Sequence, residues 1–456
     1  MIWLWLLYGA TLIQILRDAW VLNVHSVTSW RWSAAHRVGR IPRSEEAPVL
    51  LLMIPVLREQ ALLAETLRYF GRLPYPGRRQ VIVLTTQREI AENGNVSAGT
   101  TPELALQLVG QLNTEAPGLY RVIHYPYEVG NKASQLNYAL RRLSEDGEFD
   151  PARTYIGVYD ADSRPAEDTL EHVADLVAGQ RDAGREWPVA IQQPSLFLNN
   201  FNEVPSWYLQ LEALFETRWA LGHEIRTMRA STRELPDWRA PYAYCVGHGM
   251  FIRQDFLNLT GGFPEPNEDV PMGHRLSLAG IPIHPLPAYD ICDVAPSFKG
   301  LVVQSGRWFS NAPLIWKEYR RTLSLPLHIR PVRGWTLLVK GLNDTFTWMH
   351  YPLHLFALFE LLLLGIPASI GLVSLAALYL DAGVGMVIML VLLPHLQRKA
   401  RLRPLRLTAA RHFWFVLAAP LRGMVRGLGP LVALYYGLLA LRPGTNNVMG
   451  KVERNP

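Results

Sequence analysis

The residues in this 456-residue chain most able to do chemistry are carboxylates at turns, one lysine and an arginine–tryptophan pair. Asp160 and Asp162 close the run TYIGVYDADS. Two carboxylates at i and i+2, leaving a buried strand, both reach one hard cation and leave room for phosphate oxygens. Aspartate is also common at strand-to-loop junctions, so the pair alone leaves both readings open. Lys132 follows Gly130-Asn131 at the start of a helical stretch. There its charge adds to backbone N–H groups at an anion site; a solvated lysine is the plain alternative, in a chain with few lysines. Glu268-Asp269, in GGFPEPNEDVP, sits where a turn-rich loop meets a helix. It reads as a helix-capping pair or as a held carboxylate able to act as general base. Gln304, Arg307 and Trp308 (QSGRW) put a phosphate-gripping guanidinium beside a stacking indole, or anchor a helix at a membrane interface. Gln193 ends a strand and either lines an acceptor channel or is a satisfied edge amide. Cys245-Val246-Gly247-His248 has metal-like spacing without a partner pair, and reads as a glycine-lined loop rather than a zinc site.

The elements that must hold these groups are legible as an alternation. Apolar runs at 49–56, 81–86, 121–126, 154–160 and 189–194 read as buried strands. Helical stretches at 59–70, 101–112, 132–143 and 166–178, the last closed by Gly179, lie between them. This pattern implies an α/β fold with a mostly parallel sheet covered on both faces, whose ligands sit at the carboxyl ends of the strands. The domain spans 48–308.

The chain ends are different material. Residues 1–24 are apolar apart from Arg17-Asp18, and read as a retained transmembrane helix. Residues 25–47 form a basic linker with Arg31, Arg37, Arg40 and Arg43, which places the following domain in the cytoplasm, at the inner membrane. Residues 309–350 read as interfacial amphipathic helices. Residues 351–396 read as two transmembrane helices, broken at Gly365-Ile366-Pro367 and Asp381-Ala382-Gly383. A basic loop and a further membrane-associated or transmembrane helix and tail fill 397–456. Composition agrees. Hydrophobic residues make up 49% and charged ones 18%, with mean hydropathy +0.06. That is too apolar for a disordered or nucleic-acid-coating chain and too polar for an all-membrane transporter. Two cysteines exclude a disulfide-built scaffold. The net charge of +6 needs no nucleic-acid partner, because much of the basic surplus lies beside the apolar segments.

In order and spacing, IPVLREQ, GNKASQLNYAL, YDADS, IQQP, CVGHGMFIRQDFLNLTGGF, NEDVPMGHRL and QSGRW resemble the membrane-integrated family 2 glycosyltransferases, the group of cellulose, chitin and hyaluronan synthases and ceramide glucosyltransferase. The resemblance covers roughly 50–308. It implies a GT-A fold and an inverting transfer from a nucleotide sugar, UDP ahead of GDP, to a growing polysaccharide or oligosaccharide, or to a lipid acceptor. It also implies that Asp160 and Asp162 hold Mg²⁺ or Mn²⁺ and that Asp269 is the base. Lys132, Asp160, Gln304, Arg307 and Trp308 would bind the donor. Gln193, Cys245, Gly247, His248, Glu268 and Trp308 would line the acceptor site. Three departures stand out: Thr85-Thr86-Gln87-Arg88-Glu89 where an acidic pair often meets the nucleobase, His248 where smaller residues are usual, and Ser305-Gly306 in place of bulkier ones.

Overall fold

Leu50, Leu51, Leu52, Met53 and Ile54 are all fully buried, so their strand is covered on both faces and alternation gives way to a continuous apolar run. In the computed structural model, which describes residues 1–440, this strand lies inside a seven-stranded sheet, third from one edge. The first half of the chain supplies a long helix α1 (Ile2–Ala35), then strands β1 (Val49–Pro55), β2 (Arg79–Thr86), β3 (Tyr120–Tyr125) and β4 (Thr154–Val158). Helices α2 (Gln60–Arg72), α3 (Gln87–Glu92), α4 (Thr101–Glu115), α5 (Lys132–Asp146) and α6 (Thr169–Asp182) intervene or follow. Further on come β5 (Arg164–Pro165), β6 (Ala190–Gln192), β7 (Ser195–Leu196), β8 (Met250–Arg253), β9 (Ile283–Pro285) and β10 (Asp290–Ile291). The sheet order is β3-β2-β1-β4-β8-β6-β9, parallel except that β8 runs antiparallel to both neighbours. The chain leaves β1 on one side through β2 and β3, then returns to its other side as β4. That reversal is the topological switch point at which open α/β sheets bind ligands. A small sheet, β5-β10-β7, closes over the carboxyl end.

The five predicted strands and four predicted helices are present, with small shifts. Gly179 does not close α6, which continues through it to Asp182; the left-handed residue is Gly184, two positions beyond the helix. Periodicity did not reveal α7 (Trp207–Trp219), the π-helical turn Ala220–Ile225 and α8 (Arg226–Ser231). Their Glu212, Glu216 and Arg218 are buried, which erases the amphipathic signal. Helices α9 (Gln254–Leu259) and α10 (Val270–Leu278) complete the domain.

The remaining helices are α11 (Phe298–Ser310), α12 (Ile315–Leu323), α13 (Pro331–Leu363), α14 (Ser369–Leu378), α15 (Val384–Lys399), α16 (Ala409–Ala418), α17 (Leu421–Arg426) and α18 (Leu428–Ala440). Several boundaries differ from the sequence expectation. Helix α1 runs on through the expected linker to Ala35, because nothing before His36 breaks it. The basic segment beyond it is tied down: Gly39 and Arg40 N–H groups donate to the Asp175 carboxylate, and the Arg40 guanidinium pairs with Asp182 at 3.0 Å. The expected interfacial stretch up to 350 is partly the beginning of α13. Gly365 (φ +81°) makes the turn after α13. Asp381-Ala382-Gly383 makes no turn; it lies in a π-helical segment, Tyr379–Gly383, joining α14 to α15. Among the described residues, Ser369–Lys399 is the one helix long and apolar enough to cross a membrane, and α16 with the following 421–436 helix passes only as a pair bent by 55°. The expected tail beyond 440 lies outside the described residues.

Candidate active site

Lys132 stands where the first turn of α5 meets the end of β4. Asn131 sets that position by a capping box: its side chain accepts from Ser134 N–H at 3.0 Å, and Ser134 Oγ accepts from Asn131 N–H at 3.3 Å. The ammonium then donates to Asp160 Oδ1 at 2.7 Å and to the Gly247 carbonyl at 2.5 Å, and lies 2.9 Å from Glu268 Oε1. Burial opposes its charge, but the two carboxylates outweigh it and hold the ammonium above its ordinary range.

Asp269 follows Glu268 and caps α10, accepting from Val270 N–H at 2.6 Å. Gly247 explains how the groups close. A Cβ there would lie 3.0 Å from Glu268 Oε1, 3.2 Å from Asp269 Oδ2 and 3.4 Å from Lys132 Nζ. Five sequence-predicted residues, Lys132, Asp160, Gly247, Glu268 and Asp269, therefore share one recess. Burial, and next the negative charge of Glu268, push Asp269 up to about 6, against the pull of Val270 N–H and Lys132. A carboxylate with that value is poised to take a proton near neutrality.

Asp162 is buried two residues beyond Asp160 and accepts from Asp293 N–H at 3.4 Å. His248 lies under the same loop, its Nδ1 2.6 Å from Asp290 Oδ2. Burial would lower its pKa, yet Asp290 overrides this and holds it near 9, with Asp160 and Asp162 adding. Gln192 staples the loop from below: its Nε2 donates to the His248 carbonyl at 2.8 Å and its Oε1 accepts from Val246 N–H at 2.9 Å.

Other predicted site residues fall elsewhere. Gln193 is fully buried, accepting from the Tyr159 hydroxyl and donating to Thr169 Oγ1, both at 2.7 Å; this is the satisfied edge amide. The Cys245 side chain lies in the apolar core with Met250 and Met272. Gln304, Arg307 and Trp308 ride on α11, with Arg307 exposed and the other two half-buried. The end of α11 is joined to the loop before Glu268 by Asn267 Nδ2 donating to Asn311 Oδ1 at 2.9 Å. Ser305 and Gly306 give α18 its close approach, since a Cβ on Gly306 would meet Val432 at 3.0 Å. At the departure 85–89, Glu89 is turned inward onto Thr101 and the Arg58 N–H.

The family described as "Glycosyl transferase family group 2" matches residues 155–426, more than half of the chain, and the protein belongs to it: it is a glycosyltransferase. No curated protein sequence matches. Among solved structures, the mannosyltransferase PcManGT from Pyrobaculum calidifontis, in complex with GDP-Man and Mn²⁺, aligns at a TM-score of 0.51 and 15% identity over 93% of this chain and 99% of that one. The expected GT-A fold is thereby observed.

Proposed function

We propose that this protein transfers a sugar, with inversion, from a nucleotide-sugar donor to an acceptor hydroxyl at a membrane surface. The observation that carries the reading is the convergence of Lys132, Asp160, Glu268 and Asp269 at the switch point of the sheet. Asp269 takes the acceptor hydroxyl's proton, and Lys132 offsets charge on the departing nucleoside diphosphate. Gln304, Arg307 and Trp308, on the helix whose end is tied to the loop before Glu268, are the candidates to grip the diphosphate and line the acceptor mouth. A single displacement needs no protein nucleophile.

The metal fits the donor set. No group of three or more metal-ligating side chains occurs among the described residues. Asp160 and Asp162 offer two hard oxygens suited to Mg²⁺ or Mn²⁺ when phosphate oxygens and water complete the shell. Such an ion supplies charge stabilisation to the leaving group. The structural neighbour's Mn²⁺ and GDP-Man support this reading, and they put GDP-sugars beside UDP-sugars as donors to test.

Membrane attachment is supported by the 31-residue apolar helix Ser369–Lys399, against the roughly 20 residues a bilayer needs. The charged pair Arg17-Asp18 in α1 and Arg333, Lys340 and Asp344 in α13 suit these two helices to the bilayer edge. We favour an acceptor that is a growing polysaccharide or oligosaccharide at the cytoplasmic face. The test offers the full chain, in lipid, labelled UDP- and GDP-sugars and sizes the product. A ladder or polymer supports extension, a single glycolipid species replaces it with one transfer to lipid, and no turnover of any nucleotide sugar sinks the proposal.

A further inference from the structure

The outer faces of three helices change from apolar to basic where their ends meet. On α15, Val384, Val387 and Val391 form one exposed stripe at helical spacing, and the same stripe continues as His395 and Arg398. On α1 the exposed stripe of Ile13, Trp20 and Val24 continues as Arg31. The two changes lie side by side. The Trp30 and His395 rings are 5.1 Å apart between centroids, and Lys399 donates to the carbonyl oxygens of Ser33 and His36. Helix α16 runs back along α15, since the Tyr379 hydroxyl donates to the Leu417 carbonyl at 2.8 Å. It passes from exposed Arg411 to exposed Phe413, Trp414 and Leu417.

Between α15 and α16 the chain follows this boundary as a strap, Arg401-Leu402-Arg403-Pro404-Leu405-Arg406-Leu407. Its leucines pack on the apolar core, which turns Arg401, Arg403 and Arg406 out to exposed positions. Asn202 fastens the strap to the sheet domain: its Nδ2 donates to the Pro404 carbonyl at 3.2 Å, and its Oδ1 accepts from Arg406 N–H at 2.8 Å. Arg401 pairs with Glu167. Among the described residues, no carboxylate pairs with Arg37, Arg398, Arg403 or Arg406.

The arrangement decides what fits. Exposed guanidinium groups spaced along an extended strap suit a surface of many phosphates rather than one small anion, which needs donors converging on it. A nucleic acid offers such a surface, but leaves the adjoining apolar stripes and indole rings in water. A bilayer meets both, with phosphates at the level of the arginines and acyl chains beyond them. In a zwitterionic lipid the choline offsets the phosphate, so an anionic lipid gains more from the same arginines.

We infer that this strap, with Arg37 and Arg398, is a docking surface for the headgroup layer of an anionic phospholipid bilayer. This rests on the membrane attachment proposed above and names the lipid class for it. Because Asn202 and Glu167 belong to the sheet domain, the contact also fixes that domain against the membrane surface.

The test titrates the full chain, in mild detergent, with pyrene-labelled phosphatidylglycerol or phosphatidylcholine and reads energy transfer from tryptophan. Phosphatidylglycerol is expected to bind about tenfold or more tightly at low salt, from roughly fivefold per arginine. Arg403→Gln with Arg406→Gln should cut that preference about fivefold or more and leave phosphatidylcholine binding within about twofold. Arg68→Gln with Arg72→Gln, which removes the same charge from α2, should leave the preference intact. If the strap variant does not fold, about 0.5 M salt on the unsubstituted protein takes its place and should cut the preference as far. Equal binding of the two lipids would overturn the inference, as would a preference that survives the strap substitutions or that the α2 substitutions abolish as fully. Displacement by glycerol 3-phosphate or by a DNA duplex at equal phosphate would make this a general anion surface and overturn it too. A chain that stays soluble without detergent and floats with neither lipid's vesicles removes the membrane reading first, and this inference with it. Equal flotation with both kinds of vesicle leaves that reading standing and removes only the inference.

Discussion

At the scale of single residues, Asp269 and Gly247 carry the sharpest consequences. Asp269→Asn keeps the shape and the cap on α10 but cannot accept a proton. Transfer should fall by about 10²-fold or more, while donor binding, followed by titration of the nucleotide, stays within a few-fold; equal loss of both would make Asp269 structural. The pH profile follows from the same group. Because burial and Glu268 hold it near 6, the ionised base dominates above that value and is lost below it. The rate should therefore be flat from about pH 7 upward and fall roughly tenfold per unit below 6. An inflection near 4, the ordinary carboxylate range, would show that the recess is wetter than its burial indicates. Gly247→Ala places a methyl 3.0 Å from Glu268 Oε1 in a loop already closed by Lys132. Activity should drop about tenfold or more without loss of fold, and undiminished kcat/KM would show that the loop yields.

At the scale of elements, what could be read in advance depended on how local the cause was. Asp160-Ala161-Asp162, Lys132 and Glu268-Asp269 were legible because each is fixed within a few residues by a strand end or a helix cap. The parallel strands were legible as continuous apolar runs, since both faces are covered. The helix 207–231, with its π-helical turn, was not, because long-range ion pairs bury its charges; Glu212, for example, is held by Arg422 from 210 positions away. Gln193 failed as a channel residue for a related reason, since its partners Tyr159 and Thr169 are distant in sequence and only the fold shows them. The start of α5 offers a direct check on a local cause. Asn131→Ala removes the capping box and should cost about 1 kcal/mol of stability. It should also weaken donor binding, since Lys132 is the first residue of that helix. Donor affinity unchanged beside a lowered Tm would separate the cap from the site.

At the scale of the whole molecule, the helices outside the sheet are joined to it by buried polar contacts rather than by apolar packing alone. Arg218, on α7, donates to Asp381 Oδ1 at 2.7 Å and to Asn23 of α1 at 2.8 Å, while the Tyr351 hydroxyl of α13 donates to Asp381 Oδ2 at 2.7 Å. Four separate segments thus meet around one buried ion pair. Asp381→Ala leaves the guanidinium buried and unpaired, a loss of about 3–5 kcal/mol. For a chain of this length that corresponds to a fall in Tm of roughly 3–5 °C. The double substitution Arg218→Met with Asp381→Leu removes both charges and should restore most of the loss, because apolar pairs of similar volume often match buried ion pairs. If Asp381→Ala melts at the unsubstituted temperature, the helices are held by their apolar faces and the lipid. If the double variant is as unstable as the single one, the hydroxyl of Tyr351 and the amide of Asn23 depend on the ion pair for their own partners. In either case the loop that carries Gly247 is the place to read the effect, since Trp219 follows Arg218 directly and its Nε1 donates to the hydroxyl of Tyr244, just before that loop.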